Sequence, residues 1–478
     1  MLCRAAIAAL GAATSVAAVT SLEVQGSQFV NPKTGDAFQI VGAAYQIGGS
    51  SGYEPKEGKD PLSNGDICRR DAALLQMLGV NTIRVYNLDP DLNHDECASI
   101  FNAAGMYMLI DVNSPLVGES LNSLEPWTSY YEAYVNRTFA IVENFKAYPN
   151  LLGFFSGNEV IDAVKTGATA PPYIRAVTRD LKNYIKNHAD RQIPVGYSAA
   201  DVRNVLEDSW NYFQCSIEGE KDDESRADLF ALNSYSWCGN SNFHESTYDQ
   251  LVALFKTTSV PVFMSEFGCN TPSPRVFTEI AAIYGSNMTG VFSGGVVYEY
   301  AQEDNNYGLA TVNDDGSVDL LADFRTLQNQ YAKVDFESVQ GVKASGKSVT
   351  APTCTESLIK EDGFNNNFTL PVPPPGVQSL INNGISKKLN GKIIDVSDWK
   401  VTQAVTDVDG SKLSNLAVNP LSEGQVNTPS ATGTNSSSNS ETSDNAAPRM
   451  APLGSISAAL LAIPAIVATS FAIGFTLV

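Results

Sequence analysis

A chain of 478 residues with 43% hydrophobic content is long enough for one large folded domain with additions. Its formal charge of −21 argues against a nucleic-acid partner, which calls for a basic surface, and fits a solvated secreted one. The three histidines, His94, His188 and His244, show no metal-ligand spacing, and neither H-E-x-x-H nor C-x-x-C occurs, so no metal and no cofactor is expected.

The chain opens with one basic residue, Arg4, and a small apolar run, Ala5–Val19, with Ala17 and Ala18 near a cleavage point. That is the pattern of a signal peptide, placed at residues 1–20. Eight apolar strand candidates follow: Phe38–Gln46, Thr82–Leu88, Met106–Ser114, Leu151–Val160, Ile193–Asp201, Asp228–Trp237, Val260–Cys269 and Val291–Gln302. Near-continuous apolar character suits parallel strands buried on both faces. Helical stretches such as Asp71–Leu78 and Tyr173–His188 lie between them. Eight strand-then-helix units predict an α/β fold, a (β/α)8 TIM barrel over residues 21–335, with its active site at the carboxyl ends of the strands. A doubly wound sheet, the alternative, has no G-x-G-x-x-G to support it.

Two of these runs end on a single glutamate: the fourth on Glu159 and the seventh on Glu266. A buried strand has no use for an unpaired carboxylate. Retaining glycosidases need two carboxyl groups about 5–5.5 Å apart, one attacking the anomeric carbon and one serving as acid then base. Strand ends four and seven face each other across a barrel mouth. Asn158 is placed to offer an amide to the sugar 2-hydroxyl. Arg84 is a charge inside a strand and needs a partner. Pairing with Glu266 would lower that pKa and keep the group nucleophilic, and pairing with Asp111 or another acid is the structural alternative. One protonated and one ionised glutamate predict a mildly acidic activity maximum.

Residues 336–426 read as a C-terminal extension on the barrel, with a stiff break at Pro371–Pro375 and possible strands at Lys392–Val396 and Trp399–Thr402. Gly341 to Ser348 fits the P-loop pattern by letter, but lacks the strand before it and the helix after it that the chemistry needs. From 427 to 448, Ser, Thr, Asn, Gly and Ala dominate, as in a disordered stalk. Residues 449–478 end in an uncharged apolar run after small residues, the pattern of a GPI-attachment signal, with Asn445, or else Asp444 or Ser443, as attachment residue. A transmembrane anchor is the alternative. After removal of Cys3 six cysteines remain, Cys68, Cys97, Cys215, Cys238, Cys269 and Cys354, and in a secreted chain these imply disulfides. Asn136, Asn287, Asn367 and Asn435 begin glycosylation sequons.

The segments Gly153–Glu159 and Met264–Gly268 resemble the acid/base and nucleophile motifs of glycoside hydrolase family 72, fungal GPI-anchored β-1,3-glucanosyltransferases. The resemblance extends to Ala44–Gln46, Ile83–Tyr86, Asn233–Gly239 and Ser293–Tyr300, and covers about residues 22 to 360. It implies Glu159 as acid/base and Glu266 as nucleophile, with Gln46, Tyr86, Asp111, Asn158, Tyr235 and Tyr298 lining sugar subsites. It also implies the disulfides Cys68–Cys97, Cys215–Cys354 and Cys238–Cys269. No cysteine follows Cys354, which places the chain with members lacking the cysteine-rich carbohydrate-binding module. The expected protein is thus a monomer at the cell surface, tethered to the plasma membrane, that cleaves β-1,3-glucan and passes it to an acceptor glucan. A hydrolytic β-1,3-glucanase and a non-catalytic wall glycoprotein are the alternatives.

Overall fold

A computed structural model of the protein describes residues 19–430, apart from 50–52, 54, 219–221, 348 and 388. The signal segment to residue 18, the sequon at Asn435, the stalk from 431, the attachment region at Ser443, Asp444 and Asn445 and the apolar run after it lie outside the described residues.

Three short strands come first, β1 (Glu23–Gln25), β2 (Gln28–Val30) and β3 (Ala37–Phe38), in an antiparallel meander. Eight parallel strands then close into a barrel: β4 (Ile40–Ala44), β5 (Thr82–Val85), β6 (Tyr107–Asp111), β7 (Leu151–Asn158), β8 (Val195–Ala200), β9 (Leu229–Asn233), β10 (Val262–Phe267) and β11 (Phe292–Val297). They pair in chain order, and β11 pairs back onto β4. Helices such as Gly65–Leu78, Asp95–Ala103, Glu132–Phe145 and Pro171–His188 fill the crossovers. Asn64 caps the first of these by accepting from the amides of Asp66 and Ile67, and Gly79 ends it at φ +86°. This is the (β/α)8 TIM barrel that eight strand-and-helix units predict. Every strand lies within its apolar run and all eight stop short of its carboxyl end. Thr82–Leu88, for instance, shortens to Thr82–Val85, because there the backbone leaves the ladder to build the mouth.

Side chains alternate between the two faces of a strand, so every second residue meets the barrel axis. Tyr107 and Leu109 of β6, Leu229 and Ala231 of β9 and Phe263 of β10 share one buried cluster with Val19, Leu22, Phe29 and Phe38 at the base. One step toward the mouth, the same alternation reaches Asp111, Asn233 and Ser265, and in β5 Arg84, all buried. The apolar filling thus gives way to a polar layer under the site. At the other end, the amide of Val19 donates to Asn102 (3.2 Å) and Tyr107 donates to the carbonyl of Thr20 (2.6 Å). Val19 and Thr20, the last residues of the segment expected as a signal peptide, thus make contacts with the barrel in the full chain.

Residues 336–430 form a belt around the barrel rather than a separate core. Cys215–Cys354 fastens its start, Arg179 donates to the carbonyl of Pro371 (2.7 Å), and the helix Val377–Asn383 lies against Pro171–His188. Lys392–Val396 and Trp399–Thr402 are not strands. The amides of Lys392 and Ile394 donate to the side chains of Asp95 and Ser99, so a helix satisfies them where a strand would have, and Lys400 makes one isolated bridge to Ala417. The extension's strand is β14 (Val405–Thr406), beside β13 (Val318–Leu320) of the hairpin it forms with β12 (Ala310–Val312). Before Gly341 stands the short helix Phe336–Gln340, where a P-loop needs a buried strand, and no helix follows at 349–352. Asn427, the first residue expected in the stalk, is buried: its side chain donates to the carbonyls of Gln76 and Val80 and its amide to that of Gly105. The folded unit therefore runs past 427, and these partners sit where β5 and β6 begin, at the face opposite the mouth. Asn427→Ala is expected to lower unfolding stability by about 1–3 kcal/mol, because it strands two carbonyls, and denaturant unfolding of the two chains checks it.

Candidate active site

Glu266 is the penultimate residue of β10 and is buried, with 7% of its surface exposed. Three groups donate to its carboxylate: Tyr86 (2.9 Å) and Arg84 (3.3 Å) to Oε1, and Tyr235 (2.6 Å) to Oε2. Burial pushes its pKa up to about 7, against the pull of Arg84, Tyr235 and Tyr86, which favour the charged form. Arg84 pulls toward the charged form, as the sequence predicts for that pairing, but desolvation is the larger effect. The acid limb of kcat/KM is therefore expected above the ordinary carboxylate range, closer to neutrality than the mildly acidic maximum anticipated. Tyr235→Phe removes a donor to the carboxylate and should move that limb further up by about one pH unit, read from the pH profile of kcat/KM.

Glu159 follows the last residue of β7 and is exposed, with a left-handed backbone at φ +50°. A non-glycine residue pays strain to sit there, and the turn lifts its carboxylate off the strand into the mouth. The side-chain amide of Asn233 holds it, donating to Glu159 Oε1 (2.9 Å) and to Asn158 Oδ1 (3.0 Å). The orientation of that amide is fixed by its other end: Asn233 Oδ1 accepts from Ser265 (2.8 Å), Ser198 (3.1 Å) and Arg84 (3.3 Å). Asn158 Oδ1 also accepts from Arg84 (2.9 Å), so its NH2 is the end available to a sugar hydroxyl.

Arg84 is the hub. It is fully buried, spans Asp111, Asn158, Asn233 and Glu266, and lies over the rings of Tyr86 and Phe155. Both acids that the sequence offered it are partners. Asp111 accepts through both oxygens (3.0 and 3.2 Å), and its own pKa is raised by burial despite the guanidinium. Gln46 accepts through Oε1 from the amides of Tyr86 and Asn87, while its Nε2 and the Nδ2 of Asn87 are buried with no partner among the described residues. Orphaned donors cost free energy unless something accepts from them, which a sugar hydroxyl would do. Tyr235, Tyr298 and Tyr307 stand edge to face, with ring centres 5.4–6.2 Å apart. They form an aromatic wall suited to the C–H faces of a sugar.

The structure thus gathers Glu159, Glu266, Gln46, Tyr86, Arg84, Asp111, Asn158, Tyr235 and Tyr298 into one mouth. Sequence reasoning missed Asn233, Asn87 and Tyr307. Asn233 lay inside a quoted motif, and its place two residues beyond inward-facing Ala231 was the available signal. The disulfides join Cys68 to Cys97, Cys215 to Cys354 and Cys238 to Cys269, the last bridging the loops that follow Tyr235 and Glu266. Asn287 and Asn367 are exposed, and Asn136 is half-buried within the helix Glu132–Phe145. No group of three His, Cys, Asp or Glu among the described residues is placed to hold a metal, and no described helix is long and apolar enough to cross a membrane.

The parallel barrel carries one exposed and one buried glutamate at its mouth, the kind of pair that chemistry on glycosidic bonds uses. The family model described as glucanosyltransferase, glycoside hydrolase family 72, matches residues 11–335. The 1,3-beta-glucanosyltransferase gel2 of Aspergillus fumigatus is 50% identical over 419 residues, covering 88% of this chain and 87% of that one. The 1,3-beta-glucanosyltransferase GAS4 of Saccharomyces cerevisiae is 42% identical over 393 residues, covering 82% and 81%. A solved structure of a Saccharomyces cerevisiae Gas2p mutant with laminaritetraose and laminaripentaose superposes with a TM-score of 0.65 at 36% identity, covering 76% of each chain. The chain belongs to the glucanosyltransferase family, glycoside hydrolase family 72, and is an enzyme of the transglycosylating type.

Proposed function

We propose that this enzyme cleaves β-1,3-glucan internally and joins the new reducing end to the non-reducing end of another glucan, with retention at the anomeric carbon. Glu266 attacks the anomeric carbon while Glu159 gives its proton to the departing oxygen, leaving a covalent glycosyl-enzyme and a released glucan. An acceptor 3-hydroxyl then enters, Glu159 takes its proton, the bond to Glu266 breaks, and a new β-1,3 bond forms. The observation that carries this reading is the difference between the two glutamates: Glu266 is buried under three donors, and Glu159 is exposed and held by Asn233. One is built to bear a covalent bond and the other to exchange protons with what enters the mouth.

The setting is proposed from the sequence. A signal peptide, a stalk after residue 430 and attachment at Asn445 would tether the enzyme at the outer cell surface, for assembly of wall glucan. Incubation with a reduced β-1,3-gluco-oligosaccharide and separation of products by size tests the activity. Products longer than the starting material establish transfer. Only shorter products make the protein a hydrolytic glucanase, and no change overturns both.

A further inference from the structure

Another buried arginine stands behind the aromatic wall. Arg275 lies in the loop after β10, with 2% of its surface exposed. A guanidinium carries five N–H groups in a rigid fork, and here each has an acceptor. Nε donates to Asp323 (2.6 Å), in the first turn of the helix Ala322–Tyr331. Nη1 donates to the carbonyls of Tyr298 (2.6 Å) and Gly268 (3.5 Å). Nη2 donates to those of Tyr307 (2.5 Å) and Gly308 (3.3 Å). An ion pair that only fastened a helix would need Asp323 alone. Four of the five bonds go instead to main-chain carbonyls, and two of these belong to tyrosines of the wall.

The path from those carbonyls to the nucleophile is short. Tyr298 and Tyr307 come from the segment after β11, and their rings meet that of Tyr235 with centres 6.2 and 5.4 Å away. Tyr235 in turn donates to Glu266 Oε2 at 2.6 Å. The carbonyl of Tyr307 also accepts from the amide of Glu299 (3.0 Å), and the amide of Tyr307 donates to the side chain of Asn305 (3.2 Å). Arg275 is thus the cation that ties the segment carrying both tyrosines to the loop that follows Glu266.

We infer that Arg275 is a positioning residue for the transfer reaction: by clamping the carbonyls of Tyr298 and Tyr307, it fixes the rings that hold Tyr235 on Glu266. It acts through these tyrosines, since all its N–H groups are spent before either glutamate. Lysine is a poor substitute, because an ammonium has three donors and no plane, and cannot span four carbonyls and a carboxylate at once. The inference rests on the proposed role of Glu266, which the loss of activity in Glu266→Gln tests separately.

The test compares wild type, Arg275→Lys, Tyr235→Phe and the double variant as full chains, with kcat and KM on laminaripentaose measured across pH. Arg275→Lys keeps the charge beside Asp323. It also leaves in place Arg84, Tyr86 and Glu159, the other titratable groups that act on Glu266, and Tyr298, Glu299 and Tyr307, on which Glu266 acts. A moved acid limb of kcat/KM therefore reports the placement of Tyr235. Arg275→Lys is expected to raise that limb by about half a pH unit, in the direction of Tyr235→Phe, and to raise KM roughly threefold as the wall loosens. In the Tyr235→Phe background the limb should move no further, because the bond that Arg275 protects is already gone. An acid limb unmoved by Arg275→Lys overturns the inference and leaves a structural role. An equal shift in both backgrounds overturns it too, since Arg275 would then act on Glu266 by another route. Should Arg275→Lys not fold, Tyr307→Ala replaces it, at a half-buried position. The ring removed is one that Arg275 fixes, so an acid limb still at its wild-type place would break the path and overturn the inference.

Discussion

Glu266→Gln is expected to abolish both transfer and hydrolysis, by about four orders of magnitude or more, because an amide cannot form the glycosyl ester that divides the reaction into two displacements. The substitution is isosteric, so Tyr86, Tyr235 and Arg84 keep a partner of the same shape, and Arg84 keeps Asp111 as its counter-ion. Stability should move the other way. A carboxyl raised from 4.5 to about 7 by folding contributes stability that is full below 4.5 and is lost as pH rises through 7. At pH 8 the wild type therefore carries a buried charge that the amide does not, and the variant should melt no lower than wild type there. Thermal melts beside assays on β-1,3-gluco-oligosaccharide check both halves. Near-wild-type turnover would refute Glu266 as nucleophile, and a collapse in melting temperature at pH 8 would refute the electrostatic account.

The two glutamates were legible in the sequence because each breaks an apolar run, and Arg84 because it is a cation where a buried strand should be neutral. Period-two alternation could have carried the reading further. Tyr107, Leu109 and Asp111 share the inner face of β6, and Leu229, Ala231 and Asn233 that of β9, so the polar layer is written in the strands. Asn233 escaped notice because an asparagine at a strand end reads as a turn residue. What holds it to Glu159 is a contact between residues 74 positions apart, which no local pattern carries. The disulfides posed the same difficulty: spacing left the pairings open, and Cys238–Cys269 follows from the parallel pairing of β9 with β10, whose following loops it joins.

The belt was the least legible part. Its segments lack helical or strand period because their backbone groups are satisfied by side chains of the barrel helices, as Lys392 is by Asp95 and Lys360 and Glu361 are by Asp208. Such partners lie far away in sequence.

Glu159→Ala separates proton transfer from everything else the site does. General acid–base catalysis supplies about 10²–10⁴ in rate, so transfer from an unactivated glucan should fall by that factor. A β-glucosyl-type donor with fluoride as its leaving group needs no proton, so its first displacement, driven by Glu266, should be nearly intact. The glycosyl-enzyme would then accumulate, because no base remains to activate the incoming hydroxyl. Azide needs no base and fits the space vacated by the carboxylate, so it should restore turnover and give a β-glycosyl azide. Asn233 would keep its bonds to Asn158, Ser198 and Ser265, so the frame around Glu266 should survive the substitution. Equal losses on glucan and fluoride donors, with no rescue by azide, would mean that Glu159 supports the structure of the mouth and that the proton comes from another group.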